Sequence, residues 1–117
     1  MIYIDANIYI NAAVNPEKTG SICRSILDAA EHGKLAAATS TLTFDEVLWK
    51  LRAVMDYGEA IQKVRAMTEL PIRLLAVDAK TLFGALDLAA FYRVKPRDAI
   101  HASSMKQQGI VKICSSD

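Results

Sequence analysis

An α/β fold is predicted, a three-layer α/β/α sandwich with a central, mostly parallel sheet, and three observations predict it. Short apolar, β-branched stretches alternate with longer segments of helical periodicity along the whole chain. Strands that alternate with helices pair in parallel through right-handed crossovers, which cover the sheet on both faces. The strand candidates are accordingly dominated by apolar residues, as "IRLLAV" and "IVKIC" are, each with a single basic residue. The length of 117 residues suits one domain with a sizeable core and is too short for two.

Each element has its own justification. The opening "MIYIDANIYI" reads as a buried strand from Ile2, Ile4, Ile8 and Ile10 with Tyr3 and Tyr9, and its best segment is "IYIDA" at 2–6. The other strand candidates are "LAAATS" (35–40), "IRLLAVD" (72–78) and "IVKICS" (110–115). In "GSICRSILDAAEHG" (20–33), Ile22, Ile26, Leu27 and Ala30 recur at helical spacing and Gly33 closes the segment. "TFDEVLWKLRAVMDYG" (43–58) predicts a helix with Phe44, Val47, Leu48, Leu51, Val54 and Met55 on one face, ending at Gly58. "EAIQKVRAMTEL" (59–70) follows as a second helix stopped by Pro71, and "AKTLFGALDLAAFYRV" (79–94) is a third. "PRDAIHASSMKQQG" (96–109) opens on Pro96, a residue favoured at the first helical position, and ends at Gly109.

Composition narrows the function classes. Hydrophobic residues at 52% and charged residues at 23% are globular values and argue against disorder. No apolar run approaches the ~20 residues of a membrane span. Asp5 stands where a secretory signal would be basic and then apolar. A protein of the cytoplasm, with no membrane contact, is expected. A net charge of +1 does not mark the molecule as a nucleic-acid binder in the way a highly basic domain is marked, so any polyanion binding rests on local clusters. Cys23 and Cys114 lack metal-ligand spacing and read as reduced core thiols.

Four acids hold the chemical interest. In open α/β sheets, ligands bind in the crevice beyond the carboxyl ends of the strands. Asp5 falls near the end of the first strand and Asp117 just past the last, while Glu46 and Asp98 open helices that follow strands. All four are expected on one crevice. Plainer roles remain open for most of them. Thr43 and Glu46 have capping-box spacing, and Glu46 lies away from the apolar stripe of its helix. Asp98 would favour a helix dipole, Asp117 would be a terminal residue, and Asp78 would cap a helix. His101, one turn from Asp98, would be a hydrogen-bonded packing histidine. Asp5 is the hardest to explain so, because a carboxylate in an apolar strand needs a strong partner. Mg²⁺ or Mn²⁺, which prefer carboxylate and water oxygens, would supply one.

With these residues in view, the sequence resembles the PIN-domain family, and in particular its small VapC-like toxin members. "YIDANIYI", "TLTFDEVLWKL", "PRDAIHASSM" and "ICSSD" match in the family's order and span nearly the whole chain, "RDAIHA" being the most specific. The resemblance implies a Mg²⁺- or Mn²⁺-dependent endoribonuclease with an acid quartet of Asp5, Glu46, Asp98 and Asp117. Of these, Asp5, Asp98 and Asp117 would ligate metal with help from Glu46. Asn7 matches the polar position near the metal, Ser115 the hydroxyl before the last acid, and His101 a histidine found in many relatives and read as structural. It further implies a homodimer and, for a toxin, a small antitoxin protein as partner. In similar proteins the chain continues past the aspartate matched by Asp117, with a segment that often brings another acid and a final strand. A single PIN-like domain over 1–117 is the expectation here, with a native end at Asp117 and a longer natural chain both open.

RNA contact would rest on Lys50 and Arg52 after Glu46, and on Arg93, Lys95 and Arg97 before Asp98. A purely solvated role for these five is equally open. Tyr9 and Tyr92 could stack on bases but are read as core or interface packing residues, and Trp49 as part of a dimer or partner surface. Two other classes compete: a metal-dependent α/β phosphohydrolase, and a non-catalytic protein that binds RNA or another protein. The first usually needs an acid two residues beyond its nucleophile, where Asn7 stands.

Overall fold

Four short parallel strands organise the chain, which a computed structural model describes over residues 1–116. In sequence order the elements are β1 (Ile2–Ile4), α1 (Ala6–Val14), α2 (Lys18–Glu31), β2 (Ala37–Ser40), α3 (Thr41–Leu51), α4 (Tyr57–Thr68), β3 (Arg73–Leu75), α5 (Ala79–Tyr92), α6 (Pro96–Gln107) and β4 (Lys112–Cys114). The sheet order is β3-β2-β1-β4, and every described pairing is parallel. Tyr3 lies opposite Ala38 and Ile113, and Ile4 opposite Cys114. Each crossover carries two helices, which gives the expected three layers.

Alternation along the strands divides the interior. One face presents Ile2, Ile4, Ala37 and Cys114 to a core that also takes Ile8 and Tyr9 of α1, Cys23 of α2, Phe44, Val47 and Leu51 of α3, and Ala60 of α4. The other face presents Tyr3, Ala38 and Leu75, joined by Ile110 and partly by Met105. Both cysteines are free thiols, as expected, and burial raises the pKa of each. Among the described residues, no helix is long and apolar enough to cross a membrane.

Local chemistry explains most boundaries. Gly33 and Gly109 take left-handed φ values of 71° and 66° just beyond α2 and α6, a conformation that favours glycine at helix ends. Pro96 is at the start of α6. Asp78 caps α5, accepting from Thr81 N–H at 3.0 Å, while Thr81 Oγ1 reaches back to the Asp78 amide.

Three expectations are corrected. The opening stretch is not one strand, because β1 ends at Ile4 and α1 begins at Ala6. Ala6 and Tyr9 are buried and Ala13 packs on the same core, a 3–4 residue spacing that a short apolar run hides. The helix expected over 43–58 ends at Leu51. Asp56 caps the next helix by accepting from Glu59 N–H at 3.2 Å, so Gly58 lies inside α4 and Val54 is left 67% exposed. Thr43 and Glu46 form no capping box, because α3 starts at Thr41 and has no acid in its first turn. Thr43 is buried and accepts instead from Thr39 Oγ1 at 2.7 Å.

Candidate active site

The carboxyl ends of β1, β2 and β4 and the amino ends of α1, α3 and α6 open on the same edge of the sheet. Asp5 stands at this edge, half-buried, as the residue that precedes α1 in extended conformation (φ −75°, ψ 159°). A carboxylate at that position ordinarily accepts from the first helical amides, but Asp5 makes no such bond. Its own N–H donates to Cys114 C=O at 3.0 Å, and its Oδ2 accepts from Ser115 Oγ at 3.0 Å. The end of β4 thus holds Asp5 from both main chain and side chain. Asn7, half-buried in the first turn of α1, accepts through its carbonyl from Asn11 Nδ2 at 2.9 Å. Asn11 Nδ2 also donates to Ser116 Oγ at 2.9 Å, a second tie to the segment after β4. Sequence reading missed Asn11, although the spacing of Asn7, Asn11 and Asn15 marks a polar stripe on one helix face.

Glu46 projects from the second turn of α3 and is mostly buried. Its Oε1 lies 2.5 Å from Nε2 of His101, whose side chain is 7% exposed. Nδ1 of the same ring lies 2.5 Å from the hydroxyl of Tyr3, which donates to Ser40 Oγ at 2.9 Å. The Tyr3 and His101 rings meet edge to face at 5.6 Å. Burial raises the pKa of the Tyr3 phenol, and the nearby hydroxyls of Ser40, Thr43 and Thr39 offset part of that. Glu46 sits on a helix of one outer layer and His101 on a helix of the other, so their bond bridges the carboxyl edge of the sheet.

Asp98 is exposed in the first turn of α6, where the positive end of the helix dipole favours an acid. His101 follows it by one turn, so the segment that carries Asp98 is the one that anchors Glu46. Asp117 lies outside the described residues. Among those described, one group of three metal-capable side chains has its ligand atoms all within 4.8 Å of one another: Asp28, Glu31 and His32, all exposed. His32 pairs with Asp28 at 3.3 Å, and the Asp28 carbonyl and charge raise its pKa. This group ends α2, just before β2 begins, and therefore lies at the amino end of the strands, away from Asp5. Asp5, Glu46 and Asp98 share the carboxyl edge without forming so tight a group.

The basic residues divide by position. Arg93 and Lys95 are exposed on the turn that leads into α6, and Arg97 is exposed in its first turn, immediately before Asp98. Arg93 takes a left-handed φ of 61° at the end of α5. Lys50 and Arg52 lie at the far end of α3, about 15 Å along the helix from its start, and the Arg52 guanidinium covers the Trp49 ring at 3.7 Å. Trp49 is 58% exposed. Tyr9 is buried against Phe44, a packing role as expected, whereas Tyr92 is exposed beside Phe91.

The PIN domain family model matches residues 2–117. Solved structures that share the fold include the following three. The Sarcin-Ricin loop cleaving toxin VapC20 of Mycobacterium tuberculosis superposes with a TM-score of 0.82 at 14% identity, covering 100% of this chain and 90% of that one. A toxin–antitoxin complex from Klebsiella pneumoniae gives 0.73 at 16% identity, covering 100% and 87%. VapBC-1 of nontypeable Haemophilus influenzae gives 0.69 at 19% identity, covering 99% and 87%. Comparison with curated protein sequences gives no significant match.

Proposed function

The chain belongs to the PIN domain family, and from that premise we propose that it is a metal-dependent endoribonuclease, the toxin of a toxin–antitoxin pair acting in the cytoplasm. The observation that carries this reading is the state of Asp5. It occupies a helix-capping position without capping, and turns its carboxylate toward the end of the neighbouring strand. Lone pairs that the helix leaves unused, at the carboxyl edge of a parallel sheet, suit a cation.

The donor set around Asp5 fits Mg²⁺ or Mn²⁺, which take carboxylate, hydroxyl and water oxygens and not thiolates. Asp5 and Asp98 would hold the ion, with Asp117 as a third ligand and Glu46 in support. A divalent ion so held would supply the charge that lowers the pKa of water, so that hydroxide could displace the leaving oxygen from phosphorus, and would offset the charge left on that oxygen as the P–O bond breaks. The protein's own groups do the rest. Ser115 orients Asp5, Asn7 lines the adjoining turn of α1, and Arg97 and Lys95 bind flanking phosphates beside Asp98. Lys50, Arg52 and Arg93 would contribute at longer range.

The toxin reading adds partners. The three similar structures include a toxin–antitoxin complex and a VapBC protein. Phe83, Leu86 and Phe91 on α5 are more than half exposed, as are Trp49 and Tyr57. Apolar area of this extent is consistent with a homodimer contact and a small antitoxin protein.

The test is cleavage of a panel of tRNA, rRNA and synthetic RNA with Mg²⁺, Mn²⁺ or EDTA. Wild type should cut only with metal, and Asp5→Asn and Asp98→Asn should each lose about 100-fold or more in rate. Cleavage that persists in EDTA, or in both variants, would overturn the proposal.

A further inference from the structure

We propose that His101 is a positioning residue for Glu46 rather than a packing residue of the core, an inference that deepens the ribonuclease reading and rests on it. Both ring nitrogens are committed. Nε2 lies 2.5 Å from Oε1 of Glu46, a hydrogen bond between the ring and the carboxyl group. Nδ1 meets the Tyr3 hydroxyl, and that hydroxyl is tied to Ser40. The ring cannot turn without breaking both contacts, and it is 5% exposed.

The direction of this chain of bonds is informative. It starts in the sheet, at Tyr3 of β1 and Ser40 of β2, and ends on the one acid of the candidate site that belongs to α3. Among the described residues, Glu46 has no other hydrogen-bond partner. A glutamate side chain has three rotatable bonds, and an unanchored one samples many positions before substrate arrives. His101 removes that freedom in advance, because its own position is set by two strands. The bond uses Oε1 and leaves Oε2 available for the chemistry at the crevice. A histidine that served only packing would have no need to span from a central strand to a carboxylate in the opposite layer.

Outer hydrogen-bond partners of this kind are typically worth 10–100-fold in activity or metal affinity. The experiment is a double-mutant cycle on the full chain, with His101→Ala, His101→Gln, Glu46→Gln and the two doubles. Each is read by kcat and KM on a cleaved RNA and by calorimetric titration with Mn²⁺, at a temperature where circular dichroism shows every variant folded. His101→Ala should lower kcat about 10–100-fold with KM within about twofold, and should weaken Mn²⁺ binding. In the Glu46→Gln background the same substitution should change neither by more than about twofold. His101→Gln, which keeps a side-chain N–H, should recover most of the loss and serves alone if the alanine variant does not fold. An equal loss in both backgrounds, or a histidine variant with unchanged kcat and Mn²⁺ affinity, overturns the proposal. Wild type that cleaves no RNA but binds Mn²⁺ removes the ribonuclease reading, and the calorimetric cycle then decides the role of His101 by itself.

Discussion

The two faces of the sheet are built on different chemistry. Against one, α1–α4 bury Ile4, Ile8, Phe44, Val47 and Leu51 in a continuous apolar core. Against the other, the apolar cluster shrinks to Tyr3, Ala38, Leu75 and Ile110, α5 and α6 add only the small Ala85 and Ala99, and hydroxyl and imidazole groups take over. Ser103 Oγ donates to Thr81 C=O at 2.8 Å, Thr81 Oγ1 to Gln107 Oε1 at 2.9 Å, and Tyr3, Ser40, His101 and Glu46 form one chain. Apolar burial is strong but non-directional. Hydrogen bonds contribute less net free energy but fix atoms in place. The first face therefore supplies stability, and the second sets the position of a side chain at the sheet's carboxyl edge.

The largest effect should come from the apolar face. Leu51→Ala empties a fully buried site and should cost about 2–5 kcal/mol in urea unfolding. A loss below about 1 kcal/mol would mean that the core on this side is loose. On the other face, Tyr3→Phe removes no apolar volume but strips Ser40 and His101 of a partner, for about 1–3 kcal/mol. If Tyr3→Phe proved neutral, the hydrogen-bonded face would not be held by these bonds.

The second buried tyrosine sharpens the contrast. Among the described residues, Tyr9 Oη is buried without a hydrogen-bond partner, although Thr39 is near it. Tyr9→Phe should accordingly be neutral or stabilising, within about 1 kcal/mol, because it removes an unsatisfied hydroxyl. Both phenols titrate above their ordinary value, chiefly through burial. Their protonated forms are favoured by folding, so stability is fully present below pH ~10 and is lost as pH rises from there through the folded-state values. Equilibrium unfolding between neutral and strongly alkaline pH should show this decline, and each Tyr→Phe variant should reduce its slope.

The smallest effect belongs to the exposed cap. Hydrogen bonds from the Thr81 amide and hydroxyl hold the Asp78 carboxyl below the ordinary carboxylate range. Its contribution is present above the unfolded value and is lost as pH falls through the folded one. Asp78→Ala should slightly lower the thermal midpoint at neutral pH and make no difference in strong acid. An equal shift at both pH values would contradict a charged cap.

What was legible in the sequence was what is local. Gly33, Gly109, Pro96 and Asp78 announce helix ends through their own backbone or side-chain chemistry, and the structure follows them. Hydrophobic runs gave all four strands, each somewhat shorter than expected. The helix after Asp5 was hidden because a few apolar residues following a strand have no period of their own. The break at Asp56 was hidden because Val54 and Met55 continue the stripe of α3 past its end. Pairings at long range were beyond reach. Glu46 and His101 are 55 residues apart and Asp5 and Ser115 are 110 apart, and no spacing rule joins them. Wheel geometry even set Glu46 aside from its helix's apolar stripe, because its partner is a polar group in the opposite layer.

The most direct test of where a cation acts is paramagnetic broadening of backbone amide signals by substoichiometric Mn²⁺. Broadening should centre on Asp5, Asn7, Asp98 and Ser115, be abolished by Asp5→Asn and be unaffected by His32→Ala. Broadening centred on Asp28, Glu31 and His32, at the opposite end of the sheet, would contradict it.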